Sequence, residues 1–132
     1  FNSEKSHVIP NLIKKTYKDE TLNVWGNKNI TRDFVFVDDL VEAMLKILPK
    51  NLMNFPINFS SGKPTSIKKL VETILKIYDK PKKFKYIHPN RSSAKYRVLN
   101  NSKINKLIKM KTRTNLETGI KKTITWYKEN VK

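Results

Sequence analysis

Two residue pairs and one arginine stand out as groups that could do chemistry. Tyr78 and Lys82, in "YDKPK", have the Tyr-x-x-x-Lys spacing that puts a phenol and an ammonium on one helix face, as a proton-transfer pair requires. Pro81 stands between them, however, where it ends a helix instead of aligning its face, so Tyr78 is expected in the core. The two histidines, His7 and His88, lie far apart and have no partner at metal-ligand spacing, and a zinc site is not expected. Arg32 opens the stretch "TRDFVFVDDLVEAM", and it is one of only four arginines, with Arg91, Arg97 and Arg113, among 28 cationic residues. A planar guanidinium holds two oxygens of a phosphate or carboxylate in a fixed orientation, which a lysine point charge does not.

Other chemistry is absent from the sequence. The three glycines, Gly26, Gly62 and Gly119, cannot form a dinucleotide fingerprint or a phosphate loop, and no Gly-x-Ser-x-Gly elbow occurs. With no cysteine there is no disulfide framework, thiolate metal site or thiol nucleophile, and a cytoplasmic location is the expectation. No apolar run reaches the roughly 18 residues of a membrane span. The start "FNSEKSHVIP" lacks the blocks of a signal peptide, so a soluble chain without a membrane partner is expected. The net charge of +17 raises the question of nucleic acid. Lysine spread along the whole chain, with only four arginines to supply the bidentate guanidinium groups that base readout favours, argues against such readout and fits a solvated surface.

The elements that must carry these groups follow from periodicity. Val8, Ile9, Leu12, Ile13 and Tyr17 predict an amphipathic helix from about Ser6 to Lys18. "LNVWG" and "DFVFV" predict two strands joined by the turn-like "NKNIT", with Phe34 and Phe36 on one face. Asp38 or Asp39 is expected to cap a helix carrying Leu40, Val41, Met44, Leu45 and Leu48 until Pro49 stops it. "FPINFSSG" reads as a strand ending at Gly62. Thr65 or Ser66 then caps a helix with the stripe Ile67, Leu70, Val71, Ile74, Leu75 and Tyr78. "KFKYIH" alternates as a strand, "RVL" is a candidate strand, and "NSKINKLI" is a short helix from about Ser102. Asn115 caps a last helix with Leu116, Ile120, Ile124 and Tyr127 on one side. At 132 residues the expectation is one domain of mixed α/β class.

Four motifs, "FNSEKSHVIPNLIKK", "LNVWGNKNITRDFVFVDDLVEAM", "PINFSSGKPTSIKKLVETI" and "NNSKI…TNLETGIKKTITWY", stand in the order and spacing of one family. The chain resembles the C-terminal, substrate-binding half of an extended short-chain dehydrogenase/reductase, among the NAD(P)-dependent nucleotide-sugar epimerases and dehydratases. The pattern is nearest to that of the GDP-L-fucose synthases. The resemblance implies a small mixed sheet with helices over residues 1–132, with the Rossmann domain and its catalytic Ser, Tyr and Lys largely missing. It implies that residues 37–62 pack against that domain, and that NADP or NAD is bound mainly there. It also implies a nucleotide-sugar substrate and a homodimeric parent. By resemblance Arg32 contacts the substrate diphosphate, Trp25 lies against base or ribose, Lys15 adds charge near the phosphates, and His7 sits at the cofactor–substrate junction. Arg91 and Arg97 are further phosphate candidates. Each role has an ordinary structural alternative: core for Trp25, plain surface for Lys15, a helix-start residue for His7, and an ion pair with Asp33 or Asp38 for Arg32. "LIKMKTR" and "NRSSAK" depart from the family's usual Leu-Gly-Trp and Lys-Pro-Asp-Gly. The readings left open are another nucleotide-sugar enzyme using UDP or dTDP sugars, a non-catalytic basic module for nucleotides or polyanions, and a basic nucleic-acid protein.

Overall fold

A computed structural model describes residues 7–50, 55–79, 82–88, 94–109 and 112–131. The first helix, α1 (Val8–Lys18), leads into strand β1 (Thr21–Trp25), and a turn opened by Gly26 leads to β2 (Thr31–Asp33). Helix α2 (Val37–Ile47) ends in a 3-10 turn, Leu48–Lys50. Strand β3 (Pro64–Ser66) runs straight into α3 (Ile67–Tyr78), followed by β4 (Lys83–Ile87), β5 (Tyr96–Arg97), α4 (Ser102–Ile108) and α5 (Leu116–Asn130).

The strands form two small sheets. Strands β1 and β4 pair in parallel, with Trp25 opposite Ile87, and β2 lies between antiparallel β3 and parallel β5. A parallel pair needs a crossover, and the long passage containing α3 supplies it between β1 and β4. The main core gathers Leu12 and Ile13 of α1, Leu22 and Val24 of β1, Leu70, Val71 and Ile74 of α3, and Ile120, Ile124 and Tyr127 of α5. These are the faces that periodicity marks. Ser66 caps α3 by accepting from the Lys69 amide at 3.1 Å, and Asn115 caps α5 by accepting from the Thr118 amide at 2.8 Å.

Three local expectations are corrected. The strand expected over "DFVFV" is Thr31–Asp33, and Phe34, Val35 and Phe36 all border one cleft against α5 instead of alternating. Asp33 ends the ladder because its carboxylate turns to accept from the Ser61 amide and hydroxyl. The N-cap of α2 is Phe36, without a side-chain cap. Asp39 is buried and accepts instead from the Arg113 and Thr114 amides and the Thr114 hydroxyl, tying α2 to the segment before α5. Among residues 55–63 there is no strand. Asn101 there accepts from the Ser60 amide and hydroxyl at 3.0 Å and donates to the Ser60 carbonyl at 2.7 Å, doing the work of a ladder.

Helix α2 departs furthest from its pattern. Its buried residues are Asp39 and Ala43, while Val37, Val41, Met44 and Leu45 are 59, 47, 58 and 62% exposed. Leu48 and Phe55 are also exposed. Ala43 joins Ile104 in a small second cluster, where Ile57 and Phe59 also pack.

Candidate functional site

Chemistry-bearing residues converge where β1 meets the turn Gly26–Ile30. A cleft of about 200 Å³ is lined by Val8, Asn11, Leu12 and Lys15 of α1 and by Asn23, Val24 and Trp25 of β1. Leu12 and Val24 are core anchors, so α1 packed on β1 sets the cleft's width. Lys15 is half-buried, and its Nζ donates to the Asn23 carbonyl at 3.4 Å. Its stem therefore lies along the cleft, not on plain surface. Trp25 is 53% exposed, which excludes the core alternative. Its ring lies against that of His88, with centroids 4.6 Å apart and planes inclined at 36°. Beside them the Asn23 Oδ1 is a buried acceptor without a partner.

Arg32 and Arg97 meet across the second sheet. They are register partners in the parallel ladder between β2 and β5, so both side chains leave the same face. The Arg32 Nη1 donates to the Thr31 and Ala94 carbonyls, both at 2.8 Å, which fixes the plane of the guanidinium. Arg97, which opens the candidate strand "RVL", lies in β5 (Tyr96–Arg97) and is exposed. The ion-pair alternative for Arg32 loses both named partners. Asp33 binds Ser61, and Asp38 lies 3.5 Å from the Lys122 ammonium. The Asp33 Oδ2 is buried and unpaired.

The remaining candidates divide. His7 is exposed at the N-cap of α1, where its carbonyl accepts from the Asn11 amide at 3.1 Å and its ring makes no cap bond. Arg91 lies outside the described residues. Tyr78 is committed to packing, edge-on to Tyr17 at 4.9 Å, while the Lys82 ammonium donates to the Thr16 carbonyl and sits 5.5 Å over the Tyr78 ring. A larger cleft, about 310 Å³, lies between Ser60–Ser61 and α4. Its Ser60 and Asn101 groups satisfy one another, which leaves it the weaker site. Sequence reasoning missed Asn11, Asn23 and His88 as neighbours of the cleft. The alternation of "KFKYIH" marks the strand, which ends at Ile87 just before His88, but carries no signal that it pairs with β1.

The defining pattern of the NAD dependent epimerase/dehydratase family matches residues 1–57. The chain is 30% identical over 120 residues to the UDP-glucuronate 4-epimerase of Thermodesulfobacterium geofontis, covering 90% of this chain and 37% of that protein. It is 29% identical over 136 residues to the "Probable GDP-L-fucose synthase 1" of Oryza sativa subsp. japonica, covering 99% of this chain and 41% of that protein. Residues 1–57 thus carry the pattern of the NAD-dependent epimerase/dehydratase family, and the likeness to its members runs over nearly the whole chain. Its fold agrees, superposing with a TM-score of 0.83 on the Bacillus cereus UDP-glucuronic acid 4-epimerase solved with UDP-glucuronic acid and NAD. That match is 23% identical and covers 94% of this chain and 40% of the other. The chain thus spans about two fifths of the length of its family relatives.

The family's cofactor does not fit the residues described. A dinucleotide pyrophosphate sits on a glycine-rich turn between strand and helix. Here Gly26 and Gly62, at φ of 91° and 66°, each open an isolated turn, and Gly119 lies inside α5 against the Phe36 ring. The described residues hold clefts and cations but no glycine-rich turn of that kind. Among the described residues no group of three or more His, Asp or Glu could hold a metal ion, and no helix is long and apolar enough to cross a membrane.

Proposed function

We propose that this chain is the nucleotide-sugar-binding part of an epimerase or reductase of the GDP-L-fucose synthase type, acting on a GDP-4-keto-6-deoxy-mannose. The observation that carries the reading is the register pairing of Arg32 with Arg97. Like charges directly opposite on neighbouring strands repel, and a diphosphate between two guanidinium groups turns that repulsion into attraction. Lys15 adds a third cation in the adjoining cleft, and Trp25 offers an exposed indole on which a base or ribose packs. Held at the diphosphate, the sugar is oriented far from the gripping residues, so remote binding energy becomes alignment of the reacting carbon. On this reading His7, exposed at the start of α1, serves the cofactor–substrate junction.

On this reading the nicotinamide cofactor, NADP or NAD, and the acid/base groups belong to an N-terminal Rossmann domain in a cytoplasmic, homodimeric parent. The exposed side chains of α2 and Phe55, with the irregular segment to Gly62, pack against that domain. The coverage of two fifths of the relatives supports this division. A UDP or dTDP sugar is the competing substrate, since a UDP-glucuronate 4-epimerase is among the relatives.

Calorimetry with GDP-, UDP- and dTDP-sugars tests the assignment. Arg32→Lys retains the fold and weakens binding of the preferred nucleotide sugar by about 1.5–3 kcal/mol, the worth of a hydrogen bond to a charged group. Equal affinities for wild type and variant would make Arg32 purely structural.

A further inference from the structure

We propose that His88 is a positioning residue that holds the Trp25 indole in place as one wall of the nucleotide cleft. The inference rests on the nucleotide reading above and adds to it a residue that has no role there.

The argument begins with the ladder. Trp25 and Ile87 are register partners in a parallel pair, so their side chains leave the same face, and the Gly26 amide continues the pairing by donating to the Ile87 carbonyl at 2.9 Å. A residue after Ile87 that stayed extended would point to the opposite face, away from Trp25. His88 does not stay extended. Its φ of 53° is left-handed, a conformation that costs a non-glycine residue on the order of 1 kcal/mol. That reversal breaks the alternation and lays the imidazole against the indole, 4.6 Å between centroids. Glycine would make the same turn without strain, so backbone convenience does not account for a histidine here.

His88 is one restraint on this indole. Trp25 is the last residue of β1, 53% exposed, and it lines the same cleft as Lys15 and Asn23. A half-exposed aromatic ring on two rotatable bonds loses entropy when a ligand packs on it, and a ring already held loses less. His88 supplies that restraint from just beyond the end of β4, as a neighbour of the cleft that does not line it.

The test uses the 132-residue chain in a Trp126→Phe background, which leaves Trp25 as its single indole. GDP, UDP and dTDP are titrated against this background, His88→Gly and His88→Phe, with indole anisotropy as the second readout. His88→Gly keeps the turn and removes the ring, so it should lower the anisotropy and weaken binding of the preferred nucleotide about three- to tenfold, the range of an aromatic pair. His88→Phe restores a ring and should stay within about twofold of the histidine form. Once Trp25 is replaced by Ala, His88→Gly should have no further effect, the signature of a residue acting through its neighbour. Binding and anisotropy unchanged in His88→Gly would overturn the inference alone. Failure of the parent chain to bind any of the three nucleotides would overturn the nucleotide reading and this inference together.

Discussion

Helices α3 and α2 carry the same apolar period and meet different fates. Leu70, Val71 and Ile74 of α3 have no exposed surface, enclosed by α1, β1 and α5. Along α2 the stripe Val37, Val41, Met44 and Leu45 faces outward, and Asp39 and Ala43 face in. The first region is complete in itself. The second is held by polar ties, chiefly the Asp39 carboxylate on Arg113 and Thr114, and by the small contact of Ala43 with Ile104. Periodicity thus states that a helix has an apolar face; what covers the face depends on the rest of the fold.

The sharpest way to break this contrast is a matched pair of truncations. Leu70→Ala should cost about 2–5 kcal/mol in urea unfolding, because it leaves a cavity in a closed core. Leu45→Ala should change stability by no more than about 0.5 kcal/mol. A Leu45→Ala cost close to that of Leu70→Ala would mean that the α2 face is already covered. The polar tie ranks next. Asp39→Ala removes a buried acceptor from the part-buried amides of Arg113 and Thr114 and should cost about 1–3 kcal/mol, whereas Asp39→Asn, keeping one acceptor oxygen, should cost less. Denaturant midpoints of the two variants check the order.

The smallest effect concerns pH. Lys46 bonds the Glu42 carboxylate at 2.6 Å, and with Arg113 at 3.5 Å it holds that carboxyl below its ordinary value. A group whose folded value is depressed adds stability above its unfolded value and loses it as pH falls through the folded one. Glu42→Gln should therefore leave stability near neutral pH slightly reduced and flatten its decline on acidification. Because the pair is exposed, 0.5 M salt should erase most of that difference in thermal unfolding. A slope unchanged by both substitution and salt would leave the pair without a role in fastening α2.

Much of this architecture was legible without coordinates. The stripes of α1, α3 and α5, a cap at Thr65 or Ser66 and one at Asn115, and the strand Lys83–Ile87 follow from local period and side-chain hydrogen bonding, which act within a few residues. Arg32, Trp25 and Lys15 were marked by residue type and family order, and the tertiary structure puts Lys15 and Trp25 in one cleft. The register of Arg32 with Arg97, the ring of His88 on Trp25, and Asp39 serving a segment more than 70 residues away had no local signal. Each arises where strands or helices remote in sequence come together, and such pairings depend on which elements pack side by side. The same reason separates α2 from its pattern: amphipathic spacing was written in the sequence, but the side of the helix left open was decided only when α4 and the segment before α5 occupied the other.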